Sequence, residues 1–543
     1  MTNFNGWTII VVAIALIMTL PIIAVFKSIF TESHAIWQHL STTVLLDYIT
    51  NSFSLMLLVG LGVTIIGVGT AWLVTMCRFW GSRYLEWGLL LPLAAPAYLL
   101  AYAYTSMLDY FGPVQIWLRS IFRWTSVNDY WFPNIRSLWG AAIMLLLVLY
   151  PYVYLLARVA FTKQSVCTIE ASRSWGENPW RSFFTIALPL ARPSIVAGLA
   201  LALMETLNDL GTVEYFGVTT FTTGIYHTWL GIGERAAAAQ LAAFLMLFIL
   251  ILIVIERRSR SRAKYYQSSN ALQQLPKYQL NFWRGSLAAI ACMLPIALGF
   301  FIPAAYLLQL TLYDLENAFT GDFWSLARHS FILASLTAII AVIISLIMAY
   351  GERLQPHLLM RSAVRIAAMG YAIPGSVIAV GTLIPLGGLD NAIDGWMKSQ
   401  FGISTGLLLS GTIFSLIFAY LVRFLAVAFG SVESSLNKIP PSLDNASRSL
   451  GYGATNTLWR IHTPLMSGGL LTAAILVFVD VMKELPATLV IGPVNFDTLA
   501  IRVYQYSSDE RLIEAAAPAL AIVVVGIVPV ILLSWRISKS RSI

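Results

Sequence analysis

Charged residues and cysteines are both scarce in this chain. Only 11% of its 543 residues are Asp, Glu, Lys or Arg, whereas soluble domains carry about 25%. The three cysteines (Cys77, Cys167 and Cys292) form no C-x-x-C pair, and the six histidines show no H-E-x-x-H spacing. The shortage of charge argues against a soluble domain. The missing spacings leave a disulfide framework, a structural zinc site and a zinc protease without support.

A phosphate-binding loop is missing as well. In such a loop a lysine follows a glycine and precedes Ser or Thr, but no lysine in this chain follows a glycine. No nucleophile and base at a recognisable spacing replace it. The chain is therefore predicted not to be an enzyme and to have no ATPase site of its own.

Long apolar runs are what the chain has in abundance. It is 58% hydrophobic, with a mean hydropathy of +0.75, and runs of about 20 apolar residues recur, enough to cross a bilayer as helices. The sequence predicts an all-α polytopic membrane protein. The first run lacks a basic start and a small-residue cleavage site, so it is predicted to be a retained helix rather than a cleaved signal peptide. The twelve predicted helices are 7–26, 53–76, 87–107, 138–160, 193–212, 236–255, 286–311, 330–350, 364–386, 406–429, 466–485 and 514–535.

The basic residues predict the orientation of these helices. If the polar segment 256–282 is cytoplasmic, the loops on the same side hold 24 of the 34 Lys and Arg residues, including Arg158 and Arg423. Such a bias marks the cytoplasmic side, so both termini are predicted to be cytoplasmic. Because orientation explains the basic excess, no nucleic-acid partner is expected.

The twelve helices form two copies of one module. The sequence ASRSWG at 171–176 returns as ASRSLG at 446–451, and Pro96 in LAAPAYLLA corresponds to Pro374 in YAIPGSVIA. The offset between the copies is 278 residues up to the third helix and 275 after it. Six helices per copy give both copies the same orientation, which makes this a parallel duplication.

Each copy carries a polar cytoplasmic loop between its fourth and fifth helices. The two loops read IEASRSWGENPWRSFFTIALP and DNASRSLGYGATNTLWRIHTP. Each begins as a short helix, breaks at a glycine and resumes as an amphipathic stretch with a proline thirteen residues after that glycine. Ordinary interfacial loops do not need this spacing twice, so a protein partner is expected to contact both.

The loops resemble the Glu-Ala-Ala loop of binding-protein-dependent ABC importer permeases, over about residues 51–255 and 329–533. Asn445 stands where the second glutamate would be, which leaves open whether both ATPase subunits are held equally tightly. The resemblance implies the type I importer permease fold, an inner-membrane location, two copies of an ABC ATPase subunit and an extracytoplasmic binding protein. The coupling residues that it implies are Glu170, Ala171, Arg173, Gly176, Pro189, Asn445, Ala446, Arg448, Gly451 and Pro464.

The fifth helix of each copy carries carboxylates within the membrane. Glu205 aligns with Asp480 and Asp209 with Glu484, and Lys483 is beside the second pair. The i, i+4 spacing predicts that both carboxylates of a helix project from one face. Ionisable groups at this depth usually face a cavity or a partner. These five residues are expected to line the translocation pathway; direct cation ligation and helix packing are the alternatives.

The segments 214–242 and 481–522 resemble those of ferric-iron ABC importer permeases, in which two halves are commonly fused in one chain. The resemblance implies Fe³⁺ as the transported substrate, with transient contacts at Glu205 and Asp480, no covalently bound cofactor, and ATP hydrolysis by the partner subunit. Two alternatives stay open: the same architecture for another substrate such as thiamine, and an ion-coupled secondary transporter with Glu205 and Asp480 as relays. Membrane lipid is the remaining partner.

These observations divide the chain into five segments. The first transmembrane helix and an outer loop occupy 1–50, and the first transmembrane type-1 domain occupies 51–255. A cytoplasmic linker, the seventh helix and an outer loop fill 256–328. The second domain occupies 329–533, and a cytoplasmic tail covers 534–543.

Overall fold

The computed structural model describes residues 6–31, 34–162, 179–261, 277–493 and 495–539. These ranges are mostly helical, and the only strand pairing within them is β1 (Cys77–Arg78) parallel to β2 (Tyr278–Gln279). The helices of the first half are α1 (Gly6–Ser28), α2 (His34–Thr43), α3 (Leu45–Met76), α4 (Ser82–Gly88), α5 (Ala97–Leu108), α6 (Pro113–Phe122), α7 (Leu138–Thr162), α8 (Pro179–Ser182), α9 (Leu188–Asn208), α10 (Gly211–Tyr215), α11 (Phe221–Tyr226) and α12 (Arg235–Ser261). Those of the second half are α13 (Phe282–Ile296), α14 (Ile302–Tyr313), α15 (Leu315–Ala318), α16 (Gly321–Leu354), α17 (Leu358–Ala367), α18 (Gly375–Phe401), α19 (Ile413–Leu436), α20 (Pro441–Ser449), α21 (Ala454–Thr457), α22 (Thr463–Leu465), α23 (Ser467–Met482), α24 (Pro486–Ile491), α25 (Leu499–Ser508) and α26 (Leu512–Lys539).

Among the described residues, ten helices are long and apolar enough to cross a membrane. Two further helix pairs pass the same test together but are sharply bent, which gives twelve spans if each pair counts as one. Short π-helical turns at 183–187, 297–301 and 458–462 join neighbouring helices without interrupting the spiral. The predicted all-α polytopic fold is confirmed.

The third helix of each half is not the continuous span that the sequence predicted. The predicted helix 87–107 bends by 90° between Ala94 and Ala97, and the predicted helix 364–386 is interrupted before Pro374, after which α18 begins. The residue before a proline avoids the helical conformation, and Ala95 and Ile373 are both extended. The two equivalent prolines therefore break the two equivalent helices.

The fifth helices also end before their predicted boundaries. Instead of running to 212 and 485, α9 ends at Asn208 and α23 ends at Met482, and the short helices α10 and α24 follow. Each half thus has two interrupted helices, at equivalent positions of the repeat. Irregular backbone within a membrane is tolerated where protein or a polar cavity surrounds it.

The halves are built alike and exchange their first helices. In the first half α3, α7 and α9 pack on one another, and in the second half α16, α19 and α23 do the same. Helix α1 packs mainly against α17 and α18 of the second half, while α13 contacts α4 of the first half, and α14 contacts α5 of the first half as well as α26 of its own. This exchange holds the two broken regions against each other.

Two arginines assigned to cytoplasmic loops are buried inside long helices. Arg158 belongs to α7, where it forms a buried ion pair with Glu86, and Arg423 lies in α19 with its side chain 8% exposed. The loop assignment was wrong for both, because the length of an apolar run does not show which of its residues have partners. The basic excess on the linker side remains without them.

Candidate functional site

The breaks in the fifth helices place two carboxylates as helix caps. Asp209 accepts hydrogen bonds from the backbone N–H groups of Thr212 at 3.0 Å and Val213 at 3.2 Å. The aligned Glu484 accepts from the N–H groups of Ala487 at 2.9 Å and Thr488 at 3.1 Å. Each carboxylate therefore occupies the start of the short helix that follows it, where it satisfies unpaired backbone donors. Helices α9 and α23 each end between the two carboxylates of the expected i, i+4 pair, so the two members of a pair do not share one helical face.

The breaks of both halves meet at a cavity of about 120 Å³ between the helices. All five residues expected to line a translocation pathway contribute to its wall: Glu205, Asp209, Asp480, Lys483 and Glu484. The remaining wall comes from the broken third helices, from α7 and from α19, with Pro96, Tyr98, Tyr152, Tyr371 and Arg423 among its side chains. The structure thus brings the five expected residues together, although Glu205 and Glu484 are 279 positions apart in the sequence. Their part in transport stays a prediction.

Two basic side chains balance part of the negative charge in this cavity. The Arg423 guanidinium is 2.8 Å from the Glu484 carboxylate and 4.0 Å from the Glu205 carboxylate. The Lys483 ammonium is 3.0 Å from the Asp480 carboxylate. Glu205, Asp480 and Lys483 keep side-chain exposures of 22%, 19% and 30%, so they face open space rather than packed protein. The sequence placed Lys483 beside the second carboxylate pair, and the structure pairs it with Asp480.

A direct contact joins the two halves at the same place. The Asn208 side chain accepts a 2.6 Å hydrogen bond from the backbone N–H of Gly375, the first residue of α18. A Cβ atom at Gly375 would lie 2.7 Å from both Arg423 and Glu484, so only glycine lets this backbone approach so closely. The cavity is therefore the meeting point of the fifth helix of one half with the third and fourth helices of the other.

No preformed metal site is present in the part of the chain that the structure describes. Within it, no three His, Cys, Asp or Glu side chains are close enough together to hold an ion. The cavity carboxylates are instead held by backbone donors or basic side chains.

The polar loop between the fourth and fifth helices of the second half has the shape that the sequence predicted. Helix α20 ends at a glycine corner, where Gly451 has a φ of +83°. The Tyr452 N–H donates to the Ser447 carbonyl at 3.1 Å and the Gly451 N–H to the Arg448 carbonyl at 3.0 Å, the hydrogen-bond pattern of a Schellman cap. A second helical stretch then runs from Ala454 to Leu465 and contains Pro464 before an abrupt bend of 79°.

The outer surface of this loop is exposed in the part of the chain that the structure describes. Asn445, Ala446 and Arg448 are exposed, and the side chain of Leu450 is 75% exposed. In the first half, Glu170, Ala171, Arg173 and Gly176 lie outside the described residues, and Pro189 is in the first turn of α9. The two loops are therefore compared only by sequence.

An ion network fastens α20 to the membrane helices. Arg353, in the last turn of α16, donates to the Asp444 carboxylate and to the carbonyls of Leu436 at 2.8 Å and Ile439 at 2.9 Å. The other Asp444 oxygen is 2.7 Å from the His462 ring. Burial raises the pKa of Asp444, but the hydrogen bonds from Arg353 and His462 outweigh burial, so the pKa of this carboxyl lies below its ordinary value. We call these three residues the loop brace.

Sequence reasoning missed Arg423, Asn208 and Asp444 as site residues. Arg423 carried a signal, since it is a lone charge in an apolar run of helix length, and such a residue indicates a partner. Asp444 precedes the expected glutamate position by one residue, but it points inward to the loop brace while Asn445 points outward. Asn208 had no distinguishing signal, because its partner Gly375 is 167 residues away.

Comparison with known proteins agrees with this architecture. The profile of the family described as "Binding-protein-dependent transport system inner membrane component" matches residues 63–265 and 341–538, which confirms the duplication. The chain is 25% identical over 492 residues to the Fe(3+)-transport system permease protein FbpB 2 of Haemophilus influenzae, covering 90% of this chain and 89% of that protein.

Two other relatives cover different shares of the chain. The ferric transport system permease protein FbpB of Actinobacillus pleuropneumoniae is 22% identical over 559 residues, covering 98% of this chain and 78% of that protein. The molybdenum transport system permease protein ModB of Escherichia coli is 28% identical over 208 residues, 36% of this chain and 87% of that protein. With both halves matched by one family profile, the chain belongs to the binding-protein-dependent transport system inner membrane component family and is an integral inner-membrane permease of the type I ABC class, with its two halves fused.

Proposed function

We propose that this chain is the membrane-spanning subunit of an ATP-driven importer that moves ferric iron from an extracytoplasmic binding protein into the cytoplasm. The observation that carries the proposal is the carboxylate-lined cavity between the halves, in a chain that is similar over 90% of its length to a permease named for Fe(3+) transport. Carboxylate and phenol oxygens suit a hard, highly charged cation, whereas a soft metal calls for sulfur ligands.

The cavity supplies a path and the cytoplasmic loops supply the coupling. The exposed side of α20, with Asn445, Ala446 and Arg448, offers a docking face for one ATPase subunit. The aligned loop around Glu170 and Gly176 does the same for a second copy. Because the bend at Met466 joins the loop directly to α23, movement of the loop is transmitted to Asp480 and Lys483. Both termini are cytoplasmic in this arrangement.

Neutralising the cavity carboxylates tests the proposal. The complete complex, with its ATPase and binding protein, is reconstituted in vesicles, and uptake of labelled ferric iron is measured for the double variant Glu205→Gln, Asp480→Asn. We expect uptake to fall by at least about tenfold, because the field that attracts a trivalent ion into a low-dielectric path is lost. Basal ATP hydrolysis is expected to persist, since the coupling loops are unchanged.

A second double variant controls for the loss of negative charge as such. Asp497→Asn with Glu510→Gln removes two carboxylates on side chains that are 31% and 75% exposed and outside the cavity, and it should transport normally. Co-purification with the ATPase is measured first for every variant. Ferric uptake at the wild-type rate by an assembled Glu205→Gln, Asp480→Asn complex would show that these carboxylates are packing residues.

An anionic substrate is the second candidate, favoured by one observation. Arg423 and Lys483 line the same cavity as the carboxylates, and ModB, which is similar to part of this chain, is named for molybdenum transport. Uptake assays with ferric iron and with molybdate, each with the matching binding protein, separate the two. Transport of molybdate without ferric uptake would replace the first proposal with the second.

A further inference from the structure

Arg423 lies far from either end of its helix. Helix α19 runs from Ile413 to Leu436, so Arg423 is about 15 Å along the helix from its first residue, at 1.5 Å per residue. Its side chain is 8% exposed. An arginine at such a depth is rare, because its charge must be moved out of water, and it normally marks a functional partner.

Its two carboxylate partners belong to different halves of the chain. Glu484, whose side chain is 1% exposed, holds the guanidinium at 2.8 Å and is itself fixed by backbone donors of α24. Glu205 in the other half is 4.0 Å away and faces the cavity. The Arg423 Nε atom has no hydrogen-bond partner in the described chain. The contact with Glu484 is therefore an anchor, whereas the contact with Glu205 is loose.

This positive charge has no counterpart in the repeat. The position of α7 aligned with Arg423 is Val148, which is buried and lines the same cavity. The carboxylates, in contrast, occur in both halves, as Glu205 with Asp480 and Asp209 with Glu484. Duplication therefore explains the four acidic residues of the cavity but not Arg423. Helix packing does not require it either, since valine fills the equivalent place.

We propose that Arg423 is the resident counter-ion of the cavity, which keeps small monovalent cations out between transport cycles. This inference rests on the proposed function, in which the cavity is the transport path. Anchored to Glu484, the guanidinium leans toward Glu205 and neutralises the carboxylate that otherwise attracts a proton or a sodium ion. A cation of higher charge competes for Glu205 more strongly, displaces the loose contact and passes, after which Arg423 returns.

Ion leak through the resting complex tests this inference. The permease–ATPase complex is placed in liposomes that contain a pH-sensitive dye, and a pH gradient is imposed without ATP, binding protein or iron, with valinomycin and potassium clamping the membrane potential. A sodium-sensitive dye gives the same measurement for Na⁺. We expect Arg423→Gln to speed the entry of H⁺ or Na⁺ by at least about tenfold, because an unbalanced carboxylate then faces the path.

Three further variants make the result specific to charge. Arg423→Lys keeps the counter-ion and should be as tight as the wild type. Arg502→Gln removes an arginine from an ion pair outside the cavity and should not leak. Arg423→Gln with Glu484→Gln removes one charge of each sign but still leaves Glu205 without its counter-ion, so it should leak as Arg423→Gln does. This double variant leaves no unpaired Glu484 carboxylate in the protein interior. It therefore replaces Arg423→Gln in the leak measurement if that single variant does not assemble.

The outcomes separate this inference from the proposed function. An Arg423→Gln complex, or an assembled double variant, that is as tight as the wild type overturns the role of Arg423 and leaves ferric transport untouched. Ferric uptake is measured in the same vesicles with ATP and binding protein added. If the wild type fails to import iron but Arg423→Gln leaks as expected, the counter-ion role stands and the ferric substrate does not.

Discussion

The loop brace gives a prediction whose size follows from the structure. Replacing Arg353 with methionine keeps the length of the side chain but removes its hydrogen bonds to Asp444, Leu436 and Ile439. A hydrogen bond to a charged group contributes about 1.5–3 kcal/mol. The Arg353 and Asp444 side chains are 17% and 14% exposed, so water replaces part of what is lost. We expect the free energy of local opening of α20 to fall by about 2 kcal/mol in total. This change raises the equilibrium constant for opening about 30-fold.

Hydrogen exchange of the α20 amides measures this opening directly. The permease is studied in lipid nanodiscs, and the amides at 446–450 should exchange about 30-fold faster in Arg353→Met than in the wild type. Arg361→Met is the matched control, since Arg361 is exposed on the neighbouring helix α17. Unchanged exchange in Arg353→Met, or equal acceleration in the control, would show that the brace does not hold the loop. The aligned first-half positions of the brace are Thr75, Ile169 and Ala187, so the brace belongs to the second half.

Three more predictions concern the same loops. Gly451→Val should impair ATP-driven uptake while leaving membrane insertion intact, because a side chain at a φ of +83° costs about 1–2 kcal/mol. The control Gly453→Val, at a position where φ is −71°, should transport normally. Equal uptake by both variants would contradict the reasoning. Glu170→Ala should weaken capture of the ATPase in a pulldown more than Asn445→Ala does, and equal losses would remove the predicted difference between the halves. The loss of thermal stability caused by Asp444→Asn should be as large at pH 5 as at pH 8. A carboxyl with a lowered pKa stabilises the fold above its ordinary pKa of about 4 and loses that contribution only as the pH falls further. A loss of stability that is already smaller at pH 5 would contradict this assignment.

Some features of this protein follow from its sequence alone, because they depend on nearby residues. The length of each apolar run is enough to predict a membrane helix, since the bilayer has a fixed thickness. The two copies of ASRS at a constant spacing to Gly176 and Gly451 were enough to predict a duplicated module with two equivalent loops. The glycine corner was predictable as well, and the left-handed Gly451 has the expected conformation.

Only the tertiary structure decided how the intramembrane charges are used. The sequence showed Glu205, Asp209, Asp480 and Glu484 as two similar pairs, but the helix breaks made Asp209 and Glu484 caps and left Glu205 and Asp480 facing the cavity. Arg423 looked like a loop residue until α19 placed it between carboxylates of both halves. Pairings of this kind depend on helices that are distant in sequence and meet only after folding. Local pattern and composition contain no record of such contacts, so the charge balance of the cavity is a property of the assembled bundle.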